Sequence, residues 1–385
     1  MAVRSVLCHF RRVAADAAAS ERAEAVQAGL TRVAGLPAST KGADGRFTHD
    51  PKEFPEWVDH GLRGFLRWRR TVEPRPALPP PAELNAAVPV LEVCRSALET
   101  PPPAAMQLTW LGHASVLVQW DGWTVLADPI FSERCSALQF VGPSRYRPAP
   151  CEIRQLPKVD AVVISHSHYD HLDLNTVMEL AERDSPPMWF VPLGMKGWME
   201  SAGVTNVVEM DWGQQATLVD NNISAAAAAR PDLRVTCLPC QHWCARTPWD
   251  RNTVLWASWH LGTDRGSHYF GGDTGYCGGV FRKIGSAMGR ADVAAIPIGA
   301  YGGPTETWFH KPSHMNPEEA VKCRDDIKAK HAVGVHWGTF QLTCEPMLEP
   351  PQRMAAARDA AGLDDEAFIV LKHGETKAFA LEGSD

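Results

Sequence analysis

Residues 161–171 read Ala161-Val162-Val163-Ile164-Ser165-His166-Ser167-His168-Tyr169-Asp170-His171. The first four form a short apolar run, rich in β-branched residues and closed by a polar serine, the pattern of a strand buried on both faces. His166 therefore opens the loop at the end of that strand. His166, His168, Asp170 and His171 then present four ligand-type side chains within six residues. One strand-end loop does not comfortably wrap four ligands round a single tetrahedral ion, but it divides them readily between two neighbouring ions. Imidazole with carboxylate is a donor set that suits zinc, with iron or manganese as alternatives. Without a cation, crowding these groups at the end of an apolar strand would be costly.

Working outward, similar apolar runs recur beyond residue 106: 108–120, 124–127, 188–192, 234–238, 254–260, 268–270, 293–298, 332–336 and 368–371. Most end in glycine, proline or aspartate, as strands do. Helical patterns lie between some of them, notably over 174–183 and 317–330. The second is opened by Asn316 as cap, Pro317 at the first helical position and Glu318-Glu319 in the first turn. Many strands with a few interposed helices predict an α/β layered protein. Three further strand ends carry ligand-type residues. His242 stands in Cys240-Gln241-His242-Trp243-Cys244, Asp273 in Gly271-Gly272-Asp273-Thr274-Gly275, and His336 in His336-Trp337-Gly338-Thr339. Each alone reads as a structural residue; together with the six-residue cluster they complete a metal site.

The 385 residues would fill two or three average domains or one large one. We divide them into an N-terminal extension, 1–50, helical or poorly ordered; a segment, 51–105; and a catalytic domain, 106–385. Within the middle segment, Trp57, Val58, Leu62, Phe65 and Leu66 fall near helical spacing among Arg63, Arg67, Arg69 and Arg70. That pattern suits either a membrane-surface patch or a helix packed on the protein's own core. A stiff, proline-rich linker, 74–81, follows. The alanine run 225–229 reads as a loop insertion or a helix turn. Arg4, Arg11 and Arg12, with no acid before Asp16, bear a weak likeness to an organelle-targeting leader.

The composition is that of a globular chain, 45% hydrophobic and 22% charged, and its net charge of −7 argues against a nucleic-acid partner. Ten cysteines without a signal-peptide pattern read as reduced, mostly buried thiols of an intracellular protein. No apolar stretch approaches the ~20 residues of a membrane-spanning helix. Cys237, Cys240 and Cys244 have a knuckle-like spacing but no second cysteine pair to complete a separate zinc site. His113, between strand segments, reads as a hydrogen-bonded core histidine near the site. Asp128 reads as a partner that orients a metal-bound histidine.

His-x-His-x-Asp-His followed by strand-end His, Asp and His resembles the metallo-β-lactamase fold, an αββα four-layer sandwich shared by many dinuclear zinc hydrolases. The blocks Thr109-Trp110-Leu111-Gly112-His113-Ala114, Asp128-Pro129-Ile130-Phe131-Ser132, Gln241-His242-Trp243-Cys244 and His336-Trp337-Gly338-Thr339-Phe340 are narrower signals. They are similar to the N-acyl-phosphatidylethanolamine-hydrolysing phospholipase D family over roughly residues 50–375. The resemblance implies two zinc ions: His166, His168 and His242 on one, Asp170, His171 and His336 on the other, and Asp273 bridging. It implies attack of a metal-bridging hydroxide on the phosphorus of N-acyl-phosphatidylethanolamine, giving N-acylethanolamine and phosphatidic acid. Asp170, Asp273 and His314 are the candidate catalytic residues, and His314 and Tyr169 the candidates for contacting substrate. A homodimer and peripheral contact with a phospholipid membrane are implied as well, in an intracellular setting, either membrane-associated or cytoplasmic. The stretch 302–313 is longer than the resemblance leads us to expect, and residues before about 50 have no counterpart. The competing readings are a hydrolase of this fold acting on a soluble ester, lactone or phosphodiester, and a non-catalytic metal-binding protein.

Overall fold

The computed structural model describes residues 17–220 and 230–381. Among them, two large sheets stack face to face. One has seven strands in the spatial order Thr376–Ala380, Ala105–Gly112, Ser115–Trp120, Trp123–Ala127, Ala161–Val163, Met188–Pro192 and Val207–Met210. The other has eight, in the order Thr31–Arg32, Gln214–Leu218, Leu233–Leu238, Ser258–Gly262, Ser267–Phe270, Ala291–Pro297, Ala329–Val335 and Phe368–Ile369.

The central strands are unbroken apolar runs because each sheet is covered on both faces. Val125, Ala127, Ala161, Val163, Met188 and Phe190 turn towards the core shared with the second sheet. Their alternates Leu126, Val162, Ile164, Trp189 and Val191 turn the other way. There they meet Val177 and Leu180 of the helix Leu174–Ala181 and Met199 of the helix Lys196–Ser201. The helices Gly278–Ala287, Pro317–Asp326 and Glu349–Ala360 stack together and lie against the second sheet. The result is the expected αββα sandwich.

Several elements differ in detail from the sequence reading. The run 108–120 is two antiparallel strands, because the chain reverses at Gly112-His113 with φ of 100° and 51°. The helix expected over 317–330 ends at Asp326; Lys328, with φ of 58°, turns the chain into the strand Ala329–Val335. The strands Val207–Met210, Gln214–Leu218 and Thr376–Ala380 were not foreseen; the last two are exposed in part and carry little apolar signal. Residues 17–28 form a helix, Thr31–Arg32 pairs with Gln214–Gln215 at the sheet edge, and Phe47 and Phe54 enter the main core. The leader-like residues 1–16 and the alanine run 225–229 lie outside the described residues.

The basic, apolar segment forms a helix only over Gly61–Thr71, and none of its side chains is buried. Trp57 stands apart from it, stacked on His49 at 4.0 Å between ring centroids. Leu62 is 72% exposed, and Val58, Phe65 and Leu66 are exposed too.

The topology gathers the ligand residues. Trp123–Ala127, Ala161–Val163 and Met188–Pro192 run parallel, as do Ser267–Phe270, Ala291–Pro297 and Ala329–Val335. Parallel strands end on one edge, so the residues that follow them share one rim. The two rims are joined where the Ala257 amide donates to the Ser165 carbonyl at 2.8 Å and the His336 amide to the His113 carbonyl at 2.9 Å.

Candidate metal centre

Six histidines, two aspartates and His314 meet where the rims join. Their geometry is decided first by the hydrogen bonds behind them. The Ser165 hydroxyl donates to Asp128, so its only proton is used, and His166 Nδ1, 2.8 Å away, must donate to the Ser165 oxygen. His242 Nδ1 faces the Ser313 carbonyl at 3.0 Å and must donate as well. Each ring therefore turns an unprotonated Nε2 inwards. Both point at His168 Nδ1, at 2.8 Å from His166 and 3.3 Å from His242. His168 Nδ1 carries one proton at most, so three imidazole nitrogens converge with too few hydrogens to share. That is the donor set of a cation.

The second group forms round Asp170 and Asp273. Asp170 Oδ2 lies 3.4 Å from His171 Nε2, 3.5 Å from His336 Nε2 and 2.9 Å from His113 Nε2. Asp128, fully buried, receives His171 Nδ1–H at 2.6 Å and the Ser165 amide at 2.6 Å, which holds the ring with Nε2 towards Asp170 and Asp273. The Asp273 carboxylate stands between the groups. Its oxygens are 3.1 Å from His171 and His336 on one side, and 3.9 Å and 3.8 Å from His166 and His242 on the other. His171 Nε2, His336 Nε2 and Asp273 Oδ1 are buried without a hydrogen bond of proper geometry. Buried donor atoms left over in this way, on imidazole and carboxylate, fit a metal-binding site.

The backbone is built for the purpose. Gly272 has φ of 57°, and a Cβ there would come within 2.5 Å of Ser165 Cβ, so only glycine brings Asp273 this close to the metal loop. His113, Asp128 and His336 adopt left-handed φ of 51°, 39° and 62° without being glycine. Three such residues in one site mark strain held by the surroundings, as functional sites often do.

Burial pulls His166, His168 and His242 below the ordinary histidine range, His168 to about 4, so these rings are neutral donors for a cation. Burial also depresses His171 and His336, but the carboxylates outweigh it. Asp273, Asp170 and Asp128 raise His171 well above its usual value, and Asp273 and Asp170 raise His336 to about 9. Asp170 and Asp273 are held well below the carboxylate range by His171 and their other histidine neighbours, despite burial. In the metal-free protein two imidazolium ions thus sit where a dication would neutralise the same carboxylates.

All seven residues read as ligands, His166, His168, Asp170, His171, His242, Asp273 and His336, are brought together. His314 joins them: its Nδ1 is 3.9 Å from Asp273 Oδ2, its ring stacks on His336 at 5.6 Å, and burial lowers it to about 3, a neutral imidazole. His113 is buried, as expected of a core histidine, yet touches Asp170 directly. Tyr169 donates its hydroxyl to the Arg246 carbonyl at 3.0 Å, and its ring lies under the Arg246 guanidinium. Cys237, Cys240 and Cys244 are buried and free, and no candidate ligand cluster among the described residues includes a cysteine.

Sequence reasoning missed Arg246. Its guanidinium donates to the carbonyls of Ser167 and Leu172 at 2.9 and 2.8 Å and lies over Tyr169 and Trp198. It clamps the metal loop at both ends. The only sequence signal is its place four residues after His242.

A family model for the β-lactamase superfamily domain matches residues 123–337. A Caenorhabditis elegans protein named N-acyl-phosphatidylethanolamine-hydrolyzing phospholipase D 1 is 36% identical over 341 residues, which are 86% of this chain and 92% of that protein. The chain belongs to the N-acyl-phosphatidylethanolamine-hydrolysing phospholipase D family, within the β-lactamase superfamily. A Saccharomyces cerevisiae relative, named as the mitochondrial N-acyl-phosphatidylethanolamine-hydrolyzing phospholipase D, is 35% identical over 70% of this chain and 55% of its own length. The solved structure of Igni18, a metallo hydrolase from Ignicoccus hospitalis, superposes with a TM-score of 0.51 at 20% identity, over 71% of this chain and 98% of that one. It supports the fold alone. The family resemblance read from the Trp-Leu-Gly-His and His-Trp-Gly-Thr-Phe blocks is thereby borne out, and hydrolase chemistry in a metal-binding site follows as the family's class.

Proposed function

We propose that this chain is a dinuclear zinc phosphodiesterase that hydrolyses N-acyl-phosphatidylethanolamine to an N-acylethanolamine and phosphatidic acid. The observation that carries the reading is Asp273, whose two oxygens reach ligand nitrogens of both groups at 3.1 to 3.9 Å. It is joined by the similarity to the C. elegans enzyme over nearly that protein's full length. When bound, zinc would supply a water acidified to near neutrality and a counter-charge for the non-bridging phosphate oxygens.

The chain's own residues would prepare that chemistry. Asp128 and the Ser313 carbonyl fix the tautomers of His171 and His242, so no ligand nitrogen needs to lose a proton as substrate arrives. His314 is neutral and partly buried, with an unpartnered Nδ1 facing the site. An N–H there can bind a phosphate oxygen or the departing alkoxide.

A substrate with three acyl chains resides in a bilayer, and the helix Gly61–Thr71 supports docking there. Leu62, Phe65 and Leu66 are exposed on it beside Arg63, Arg67, Arg69 and Arg70, in a chain that is acidic overall. It packs on the helix Thr307–His310, with Arg67 over Trp308 at 4.5 Å, a few residues from His314. Basic residues between exposed apolar ones suit an anionic headgroup layer. The test is incubation of the zinc-loaded protein with N-acyl-phosphatidylethanolamine vesicles and mass identification of the products. Phosphatidic acid with an acylethanolamine is expected; release of free fatty acid instead would refute the reaction.

A further inference from the structure

The stretch 302–313 is anchored at a single buried carboxylate. We propose that Glu306 is a positioning residue for the metal centre: it locks the rim that carries His314 onto the helix Gly61–Thr71. The Glu306 side chain is fully buried. Its Oε2 accepts from Trp68 Nε1 at 2.8 Å and from His310 Nε2 at 3.3 Å, and its Oε1 accepts from the Cys344 amide at 2.5 Å. Three separate segments of chain therefore meet on one carboxylate. Burial alone would raise its pKa; the bonds from His310 and Trp68 outweigh that and hold it down to about 2, so the group is an anion.

A buried charge is a poor means of stabilising a fold, since an apolar side chain of similar volume does as well or better. What such a group does well is define a geometry. Here the geometry leads to the metal centre. Trp68 also stacks on Phe309, 5.3 Å between centroids and 15° from parallel. The amides of Ser313 and His314 both bond to the His310 carbonyl, at 2.8 and 2.9 Å. From that turn, the Ser313 carbonyl fixes the His242 tautomer, and the His314 ring stacks on His336. The Pro312 carbonyl accepts from Gln241 at 2.9 Å, and a Cβ on Gly275 would come within 2.3 Å of that same carbonyl, so the rim is seated with no slack. A shift at Glu306 would be felt by two histidines of the site without any change in the ligands themselves.

The test uses the full chain loaded with zinc and two variants. Glu306→Gln removes the charge, and Trp68→Phe removes one donor while keeping the stack. Hydrogen exchange is expected to quicken about ten-fold or more at the amides of Phe309, Lys311, Ser313 and His314 in both, and to stay unchanged in the strand Ala291–Pro297. With vesicle substrate at saturating zinc, Glu306→Gln should lower kcat roughly five- to twenty-fold and leave KM within about two-fold. This kinetic arm rests on the role given to His314 above. In a His314→Ala background the same substitution should therefore cost less kcat than it does with His314 present, leaving only the part carried by His242. Unchanged exchange over 309–314 in either variant overturns the proposal, as does an equal loss of kcat with and without His314. A wild-type protein that releases no phosphatidic acid refutes the proposed function instead, and the exchange measurement then decides the role of Glu306 by itself.

Discussion

Asp128→Asn is the substitution that tests the centre most sharply, because it changes one atom and no ligand. Asp128 accepts three bonds: from the Ser165 amide on Oδ1, and from the Ser165 hydroxyl and His171 Nδ1–H on Oδ2. Asparagine can keep the amide bond with its oxygen. Its NH2 group then stands where Oδ2 was and presents a donor to two donors. A metal on Nε2, the nitrogen that faces Asp170 and Asp273, requires His171 to keep its remaining proton on Nδ1, which in the variant faces a donor in place of the Asp128 oxygen. A charge-assisted hydrogen bond is worth about 1.5–3 kcal/mol, and roughly 1.4 kcal/mol is a factor of ten. Zinc affinity at the second group should therefore fall about ten- to a hundred-fold, in line with other partners of metal-bound histidines. The assay is zinc content by elemental analysis after equilibration against a graded chelator series, with far-ultraviolet circular dichroism to confirm the fold. If the variant keeps zinc at the same chelator concentration as wild type and turns over within two-fold of it, the tautomer argument is wrong.

Asp273→Ala should abolish nearly all turnover with the fold intact, since it deletes the carboxylate shared by both groups; survival of more than about a tenth of kcat would refute the dinuclear reading. Arg246→Met should loosen the metal loop by removing two bonds from a charged donor, about 1.5–3 kcal/mol each at most; zinc should leave on dilution several-fold faster than from wild type, and an unchanged dissociation rate would count against the clamp. Zinc binding to the metal-free protein should release protons at neutral pH, because His171 is held protonated and His336 carries its proton up to about 9. Calorimetry in buffers of different ionisation heat measures that release, and none at pH 7 would contradict the electrostatics. The same raised His336 makes a stability prediction for the metal-free chain. A folded-state pKa above the ordinary 6.5 stabilises fully below pH 6.5, and the gain is lost as pH rises through about 9. Tm of the chelated protein should thus fall between pH 6.5 and 9, while the zinc-loaded protein shows no matching loss.

Much of the candidate site was legible in the chain because its candidate ligands obey a local rule. His166, His168, Asp170 and His171 follow an apolar strand directly, and His242, Asp273 and His336 each stand just past another. Strand ends in a parallel sheet share an edge, so position along the chain already implied position in space. Arg246 and Glu306 obey no such rule. Arg246 serves carbonyls 74 and 79 residues away, and Glu306 receives Trp68 from 238 residues away. A charge whose partner lies that far along the chain looks the same in sequence as one in solvent. Tyr169 was read as a substrate contact from its place inside the metal loop; the structure shows its hydroxyl donating to the Arg246 carbonyl.

By itself, the sequence determined the layered α/β class, the seven candidate ligands and the family, because periodicity, strand ends and dense motifs are properties of neighbours along the chain. It left open whether the amphipathic segment 54–70 faces lipid or core, and whether the long rim 302–313 touches the chemistry. The tertiary structure joined those two questions. It placed the helix Gly61–Thr71 outward on its apolar side, seated Trp68 against Phe309, and brought both to Glu306. Only packing could decide that, since burying one carboxylate among donors from its own turn and from two distant segments is a property of the folded chain and of no single stretch of it.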